Sequence, residues 1–305
     1  MRLLVSDLVS PSYFTATAAV ELGFFKAEGV DAEIVPGARL PSHSLRGGGV
    51  DFVAGSAYSP LQEFPDWSGL KVLCALAHYT YWFLVVRSDL GAKRGDVHAV
   101  KGLRIGASDS VGKGLRRLLA ESGIDIERDN VQIGPIPVAV ADPAVRSGIG
   151  AQAIKEGSID GFWANGMRAE MAVREGVGMI LLDVRRGDGP PGARHYTFPA
   201  LVTTNRLIEE NPEAAAGAVR AVVKAQKALK ADPSLATQVG RRLFPPAEAE
   251  IIAELIERDA PFYDPSISEE AVVRLNQFAQ DVGLLTGPIP YERVVATQFV
   301  HLWKE

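Results

Sequence analysis

The 305-residue chain has one cysteine, Cys74, which excludes an internal disulfide and any zinc site built on several thiolates. Cys74 lies in the apolar run KVLCALA, the setting of a buried, inert thiol rather than a reactive one. His43, His78, His98, His195 and His301 are scattered without metal-ligand spacing, and no His-Glu-x-x-His, serine-elbow or paired-cysteine motif occurs. Positive charge is in deficit: 32 Lys and Arg stand against 37 Asp and Glu, a net charge of −5. The basic footprint that usually marks a nucleic-acid partner is therefore missing. No apolar run reaches roughly 18 residues, which excludes a transmembrane helix. An apolar leader of about 7–15 residues is missing too, because Met1 runs directly into RLLVSDLV, which reads as a core strand. Two alternatives stay open: an exported protein whose leader was replaced, and a cytoplasmic one.

GASDSVGKGLRR (106–117) looks at first like a phosphate-binding loop. Five residues separate Gly106 from Gly112, and Gly114 follows Lys113, so the G-x-x-x-x-G-K-[ST] spacing fails twice. ATP and GTP are excluded on that ground, and no cofactor is expected. A milder possibility stands: free amides after Ser108-Asp109-Ser110 favour an anion at a helix start, or these residues simply cap the helix.

With 47% hydrophobic and 23% charged residues, the composition is that of a globular chain long enough for two domains. From residue 2 to about 205, short β-rich runs alternate with helical stretches. The runs are RLLVSDLV, DAEIV, DFVAG, KVLCALA, WFLVV, GLRIGAS, VQIGPI, DGFWA, MILLDV and FPALVTT. Helical stretches include GKGLRRLLAESG and MRAEMAVREG, and a short helix is expected between DAEIV and the Gly-rich turn at 47–49. Such alternation argues for α/β layers with much parallel sheet. RRGDGPPGAR (185–194) reads as a charged surface loop. Beyond 205 the strand signals stop. Asn211-Pro212-Glu213 starts a helix running to about Lys230, with a capping Asn, Pro in the first turn and an acid at the positive end. Helices near 234–243, 246–259, 268–282 and 291–303 follow; Ser266 with Glu269, or Ser268 alone, caps the one at 268.

In open α/β sheets ligands bind beyond the carboxyl ends of strands. The segments there are Ser10-Pro11-Ser12-Tyr13-Phe14, Ser56-Ala57-Tyr58-Ser59, His78-Tyr79-Thr80-Tyr81-Trp82, Ser108-Asp109-Ser110 and Trp163-Ala164-Asn165. All carry hydroxyl or amide groups and most carry aromatics, the mixture that lines small-molecule pockets. The candidate binding residues are Ser10, Ser12, Tyr13, Ser56, Ala57, His78, Tyr79, Trp82, Ser108, Ser110, Trp163, Asn165 and Tyr196. His78 is equally readable as a structural histidine at a strand end. Several of these residues, with Tyr58, Tyr81 and Phe198, suit a flat aromatic or heteroaromatic ligand.

ELGFFKAEGVDAEIV, GGGVDFVAGSAYSP, VKGLRIGASDSVG, IKEGSIDGFWANGMRAEMA and TNRLIEENPEAAAGAVRAVVKA together resemble the solute-binding proteins of ABC transporters. The branch is the one that takes nitrate, taurine, alkanesulfonates and thiamine-pyrimidine precursors. Where many relatives carry a Trp-x-Pro-like turn after the strand matching DGFWA, this chain has Asn165-Gly166-Met167. The resemblance implies an α/β, two-lobed type II periplasmic-binding-protein fold with two crossovers and a helical C-terminal region. Lobe one is then 1–87 plus 200–305, and lobe two is the inserted 88–199. It also implies a periplasmic monomer whose lobes close on a small-molecule ligand, an acid by preference, and dock on an ABC permease. Two other functions stay open. One is an enzyme on the same fold, acting on an aromatic acid or pyrimidine-like compound with Asp7 or Asp109 as base. The other is a cytoplasmic ligand sensor.

Overall fold

All ten runs read as strands are strands in the computed structural model, which describes residues 1–37, 44–137 and 147–305. They are β1 (Arg2–Val5), β2 (Glu33–Pro36), β3 (Phe52–Ser56), β4 (Leu70–Ala75), β5 (Phe83–Arg87), β6 (Arg104–Gly106), β7 (Gln132–Gly134), β8 (Gly161–Ala164), β9 (Gly178–Asp183) and β10 (Pro199–Thr204). The helices between them are α1 (Phe14–Glu21), α2 (Phe24–Ala27), α3 (Asp109–Glu121), α4 (Ile149–Lys155) and α5 (Gly166–Arg174). The short helix expected after β2 falls on residues 38–43, outside the described residues.

Met1–Tyr79 and Thr197–Glu305 make one unit, and Thr80–Tyr196 makes the other. Each holds a five-stranded sheet, ordered β2-β1-β3-β10-β4 in the first and β7-β6-β8-β5-β9 in the second. The sheets are mixed rather than mainly parallel. β1 pairs in parallel with β2 and β3, and β6 with β7 and β8, whereas β10 and β5 run antiparallel to both their neighbours. A parallel pair needs a crossover of a dozen or more residues. α1 and α2 carry the chain from β1 to β2, and α3 from β6 to β7, but β10 enters its sheet from the other unit. The expected boundary at residue 87 moves for the same kind of reason. β5 finds both its partners, β8 and β9, in the second sheet, so the chain crosses before that strand, at Tyr79–Thr80, and returns at Tyr196–Thr197.

The tail comprises α6 (Asn205–Glu210), α7 (Pro212–Ala231), α8 (Leu235–Leu243), α9 (Pro246–Asp259), α10 (Glu269–Asp281) and α11 (Tyr291–Val294). Asn211 caps α7, its Oδ1 accepting from the Ala214 amide at 3.1 Å. Ser268 caps α10 by accepting from the Ala271 amide at 3.1 Å, while the Ser266 amide donates to Asp264 instead. The helix expected over 291–303 is broken. Val295 forms a parallel bridge with Val72, the Ala296 amide donates to the Val72 carbonyl, and a 3-10 turn follows over Thr297–Lys304. β4 is the edge of its sheet, and buried edge groups must be paired. The tail pairs them. Trp303 Nε1 donates to the Leu73 carbonyl at 3.1 Å, the Ala75 amide donates to the Pro265 carbonyl, and Gln226 Nε2 donates to the Ala75 and Leu76 carbonyls.

In the second unit Asp160, which precedes β8, accepts from the Arg104 amide and from Nε and Nη2 of its guanidinium at 2.9, 2.9 and 3.1 Å. The Arg104 hydrogen bonds hold the Asp160 carboxyl below its ordinary range. A carboxyl lowered by folding stabilises above its unfolded pKa of about 3.9 and loses that contribution as pH falls through the folded value. Asp160→Asn is therefore expected to lower stability at pH 7 and to flatten the acid limb of a stability-versus-pH curve. Urea midpoints from pH 7 to pH 3 check this; equal slopes for both proteins would refute it.

Candidate functional site

In the first unit the candidate residues gather at the carboxyl ends of β1, β3 and β4. β1 stops at Val5, so Asp7 lies in the following turn and not inside the strand, and its carbonyl accepts from the Ser10 amide at 3.1 Å. The Ser10 carbonyl accepts from the Tyr13 amide, and α1 starts at the next residue. Tyr263 pins this turn by donating its hydroxyl to the Pro11 carbonyl at 3.0 Å. Ser10, Ser12 and Tyr13 are all buried. The Ser10 side chain has 0% exposure, and its Oγ has no hydrogen-bond partner. At the end of β3, Ser56 Oγ lies 3.0 Å from Thr197 Oγ1, and the Ala57 amide donates to the Phe198 carbonyl at 2.9 Å.

Past β4, His78 is held at two points. Its amide donates to the Phe262 carbonyl at 2.8 Å, and Nε2 lies 3.0 Å from the Ser266 carbonyl. Nε2 is also 3.7 Å from Asp264. Burial works to raise the Asp264 carboxyl, but hydrogen bonds from Ser266 and the charges of His78 and Lys230 together outweigh it, and the net shift is downward. Tyr79 adopts a left-handed φ of 67°, uncommon for a residue other than glycine, with its ring edge-on to His78 and Phe262.

In the second unit α3 opens at Asp109. Ser108 sits at its N-cap without a side-chain cap bond, and Ser108, Asp109 and Ser110 are exposed. Asn165 caps α5, its Oδ1 accepting from the amides of Met167 and Arg168 at 3.0 and 3.2 Å. The departure from a Trp-x-Pro-like turn thus has a local cause: this chain uses Asn165 to start a helix. Trp82 and Trp163 are only 2% and 3% exposed, their rings 5.6 Å apart at 55°. Trp163 Nε1 donates to the Val111 carbonyl at 3.1 Å. Trp82 covers Gly114 of α3, where an added Cβ would come within 2.9 Å of Cε3 of the ring. Both indoles give most of their area to the interior of this unit. Tyr196 is 5% exposed.

Arg185 departs from the place its sequence suggests. Read as part of a charged surface loop, it is 1% exposed, at the end of β9, with its guanidinium 5.7 Å from the centre of the Tyr81 ring. Its one local signal is the apolar run MILLDV that ends directly before it, and its neighbour Arg186 pairs with Asp183 at 3.0 Å. Cys74 lies fully buried in β4, and burial pushes its thiol far up, so it supplies no thiolate near neutral pH. Among the described residues no group of three or more His, Cys, Asp or Glu could hold a metal ion, and no helix is long and apolar enough to cross a membrane.

The family model described as NMT1/THI5 like matches residues 10–236. No curated protein matches the chain. Among solved structures it is similar to the alkanesulfonate-binding protein SsuA from Xanthomonas axonopodis pv. citri bound to MOPS, at 15% identity and TM-score 0.69, covering 96% of this chain and 97% of that one. The periplasmic nitrate-binding protein NrtA from Synechocystis PCC 6803 is similar at 15% identity and TM-score 0.69, covering 99% and 86%. A mutant of DszB in complex with biphenyl-2-sulfinic acid is similar at 18% identity and TM-score 0.68, covering 99% and 98%. Likeness over nearly the whole chain shows the fold, and it is the periplasmic-binding-protein fold expected from the sequence.

Proposed function

Because this chain belongs to the NMT1/THI5-like family, we propose that it is a solute-binding protein of the ABC-import type, exported to the periplasm, which captures a small organic acid and delivers it to a membrane permease. The observation that carries this reading is Ser10. Its hydroxyl is fully buried at the carboxyl end of β1 and has no partner. Leaving such a group unpaired costs about 1–3 kcal/mol, so it calls for an explanation. A ligand acceptor at the strand end supplies one. Ser12, Tyr13, Ser56, Ala57, His78 and Tyr79 are the proposed neighbours in the same unit. In the other unit, taken by itself, Ser108, Ser110, Asn165, Tyr196 and the edges of Trp82 and Trp163 are the proposed binding residues.

The acid is proposed from the start of α3, where Ser108 leaves the first amides without a side-chain cap and the helix dipole favours negative charge, against the opposing carboxylate of Asp109 in the same turn. An alkanesulfonate and nitrate, named for two of the similar proteins, are anions as well. The aromatic character of the ligand is proposed from the tyrosines and tryptophans at the strand ends. An enzyme on this fold is the second reading, supported by the likeness to DszB, a desulfurization enzyme. The buried, protonated Cys74 does not serve it as a nucleophile.

Native mass spectrometry of the purified chain tests the proposal by showing a bound small molecule that dissociates on unfolding. Ser10→Ala is expected to cut retention of that molecule at least about tenfold, equal to about 1.4 kcal/mol. Its stability without ligand should stay level or rise by about 1 kcal/mol, since the unpaired hydroxyl is gone. Unchanged retention with lowered stability would make Ser10 structural and remove the main support for the reading.

A further inference from the structure

Gln226 is the one polar residue on a buried face of α7 otherwise made of alanine, valine, glycine and leucine. It is 2% exposed, and its Nε2 donates to both the Ala75 and Leu76 carbonyls at 3.0 Å. Thr15 Oγ1 of α1 donates to the Leu76 carbonyl as well, at 3.3 Å. These carbonyls lie where β4 ends and the segment His78–Tyr79 begins. The far side of that segment is tied by the Phe262 and Ser266 carbonyls. Directly after the second anchor, Tyr79 is held at a left-handed φ of 67°. A strained non-glycine residue persists only where its surroundings over-determine it, and such residues gather at ligand sites. Stability alone is a poor account of Gln226, because its own Oε1 is buried without a partner and offsets part of the gain.

We infer that Gln226 is a positioning residue: through the Ala75 and Leu76 carbonyls it presets the backbone of His78 and Tyr79 for the ligand. The inference rests on the binding function proposed above. Trp303 supplies the control, since its Nε1 makes a comparable tail-to-β4 bond to the Leu73 carbonyl, upstream of the segment.

The test compares Gln226→Met and Trp303→Phe in the full chain by amide hydrogen exchange, with native mass spectra of whatever small molecule co-purifies. Gln226→Met should speed exchange at His78 and Tyr79 at least about tenfold more than in the middle of β4, and should lower retention of the co-purified molecule. Trp303→Phe should leave both readouts unchanged at whatever stability it has. Thr15→Val, which removes a single bond to Leu76, should give a smaller effect in the same direction and serves if Gln226→Met does not fold. Uniform loss of protection along β4 and the segment in Gln226→Met would overturn the inference by assigning Gln226 to stability alone. So would faster exchange at His78 and Tyr79 with retention unchanged. If nothing co-purifies with the unsubstituted chain, the binding function fails, while the exchange pattern still decides whether Gln226 presets the segment.

Discussion

Trp163→Ala is expected to lower the unfolding free energy of the Thr80–Tyr196 unit by about 3–5 kcal/mol. The indole is 3% exposed, stands 5.6 Å from Trp82 and donates to the Val111 carbonyl of α3. Truncation leaves a cavity beside Trp82 and a carbonyl without its second donor. Trp163→Phe keeps a ring and loses the hydrogen bond, so it should cost much less, about 1–2 kcal/mol. Urea unfolding followed by amide exchange at Leu84 and Val111, both in the Thr80–Tyr196 unit, separates the two variants. Nearly equal losses would show that the hydrogen bond, not the packed volume, carries the effect. A loss under about 1 kcal/mol in Trp163→Ala, with ligand retention abolished, would give the indole to the ligand and not to the core.

Gly161→Ala is expected to cost at least about 3 kcal/mol and to loosen the centre of the second sheet. Gly161 opens β8 opposite Val86 of β5 and beside Ile105 of β6. A Cβ there would stand 2.5 Å from the Val85 carbonyl oxygen and 3.1 Å from Val86 Cγ1. The carbonyl is backbone inside a paired strand and cannot swing away, so the strands themselves must separate. Gly150→Ala sets a useful contrast, because its Cβ would meet the Phe162 ring at 2.6 Å, a side chain with some freedom to tilt. Hydrogen exchange at Val85 and Phe162 reads the difference. Retained protection at those amides in Gly161→Ala would refute the backbone clash.

The candidate site was legible in part, and the parts divide by mechanism. Strand ends could be placed because several of the apolar runs stop at polar residues, and Ser10, Ser56 and His78 all follow such runs. Which of those groups has spare hydrogen-bonding capacity could not be read, since a partner far along the chain decides it. Ser56 meets Thr197, 141 residues on, whereas Ser10 meets nothing. Asn165 shows a local rule that was there to be applied: an Asn followed by a helical stretch is an N-cap before it is anything else. Arg185 shows the opposite case. A Gly/Pro-rich charged stretch argues for the surface, and only the Tyr81 ring and the end of β9 make a buried place for one of its arginines.

Local sequence was enough to set the ten strands, the α/β alternation, the change to helices after residue 205 and the cap at Asn211, and it narrowed the cap of α10 to Ser266 with Glu269 or Ser268 alone. Each rests on interactions within a few residues, or on a periodicity that any single element displays. Long-range packing was needed to choose which way β5 and β10 run, where the chain crosses between units, and that the last helix breaks at Val295 to pair with Val72. Packing also made the two tryptophans mostly core and turned Gln226 toward the end of β4. Most of these outcomes depend on contacts between residues roughly a hundred or more positions apart. No local pattern reports such contacts, because the free energy that selects them exists only once the sheet edge and the packed interior are present.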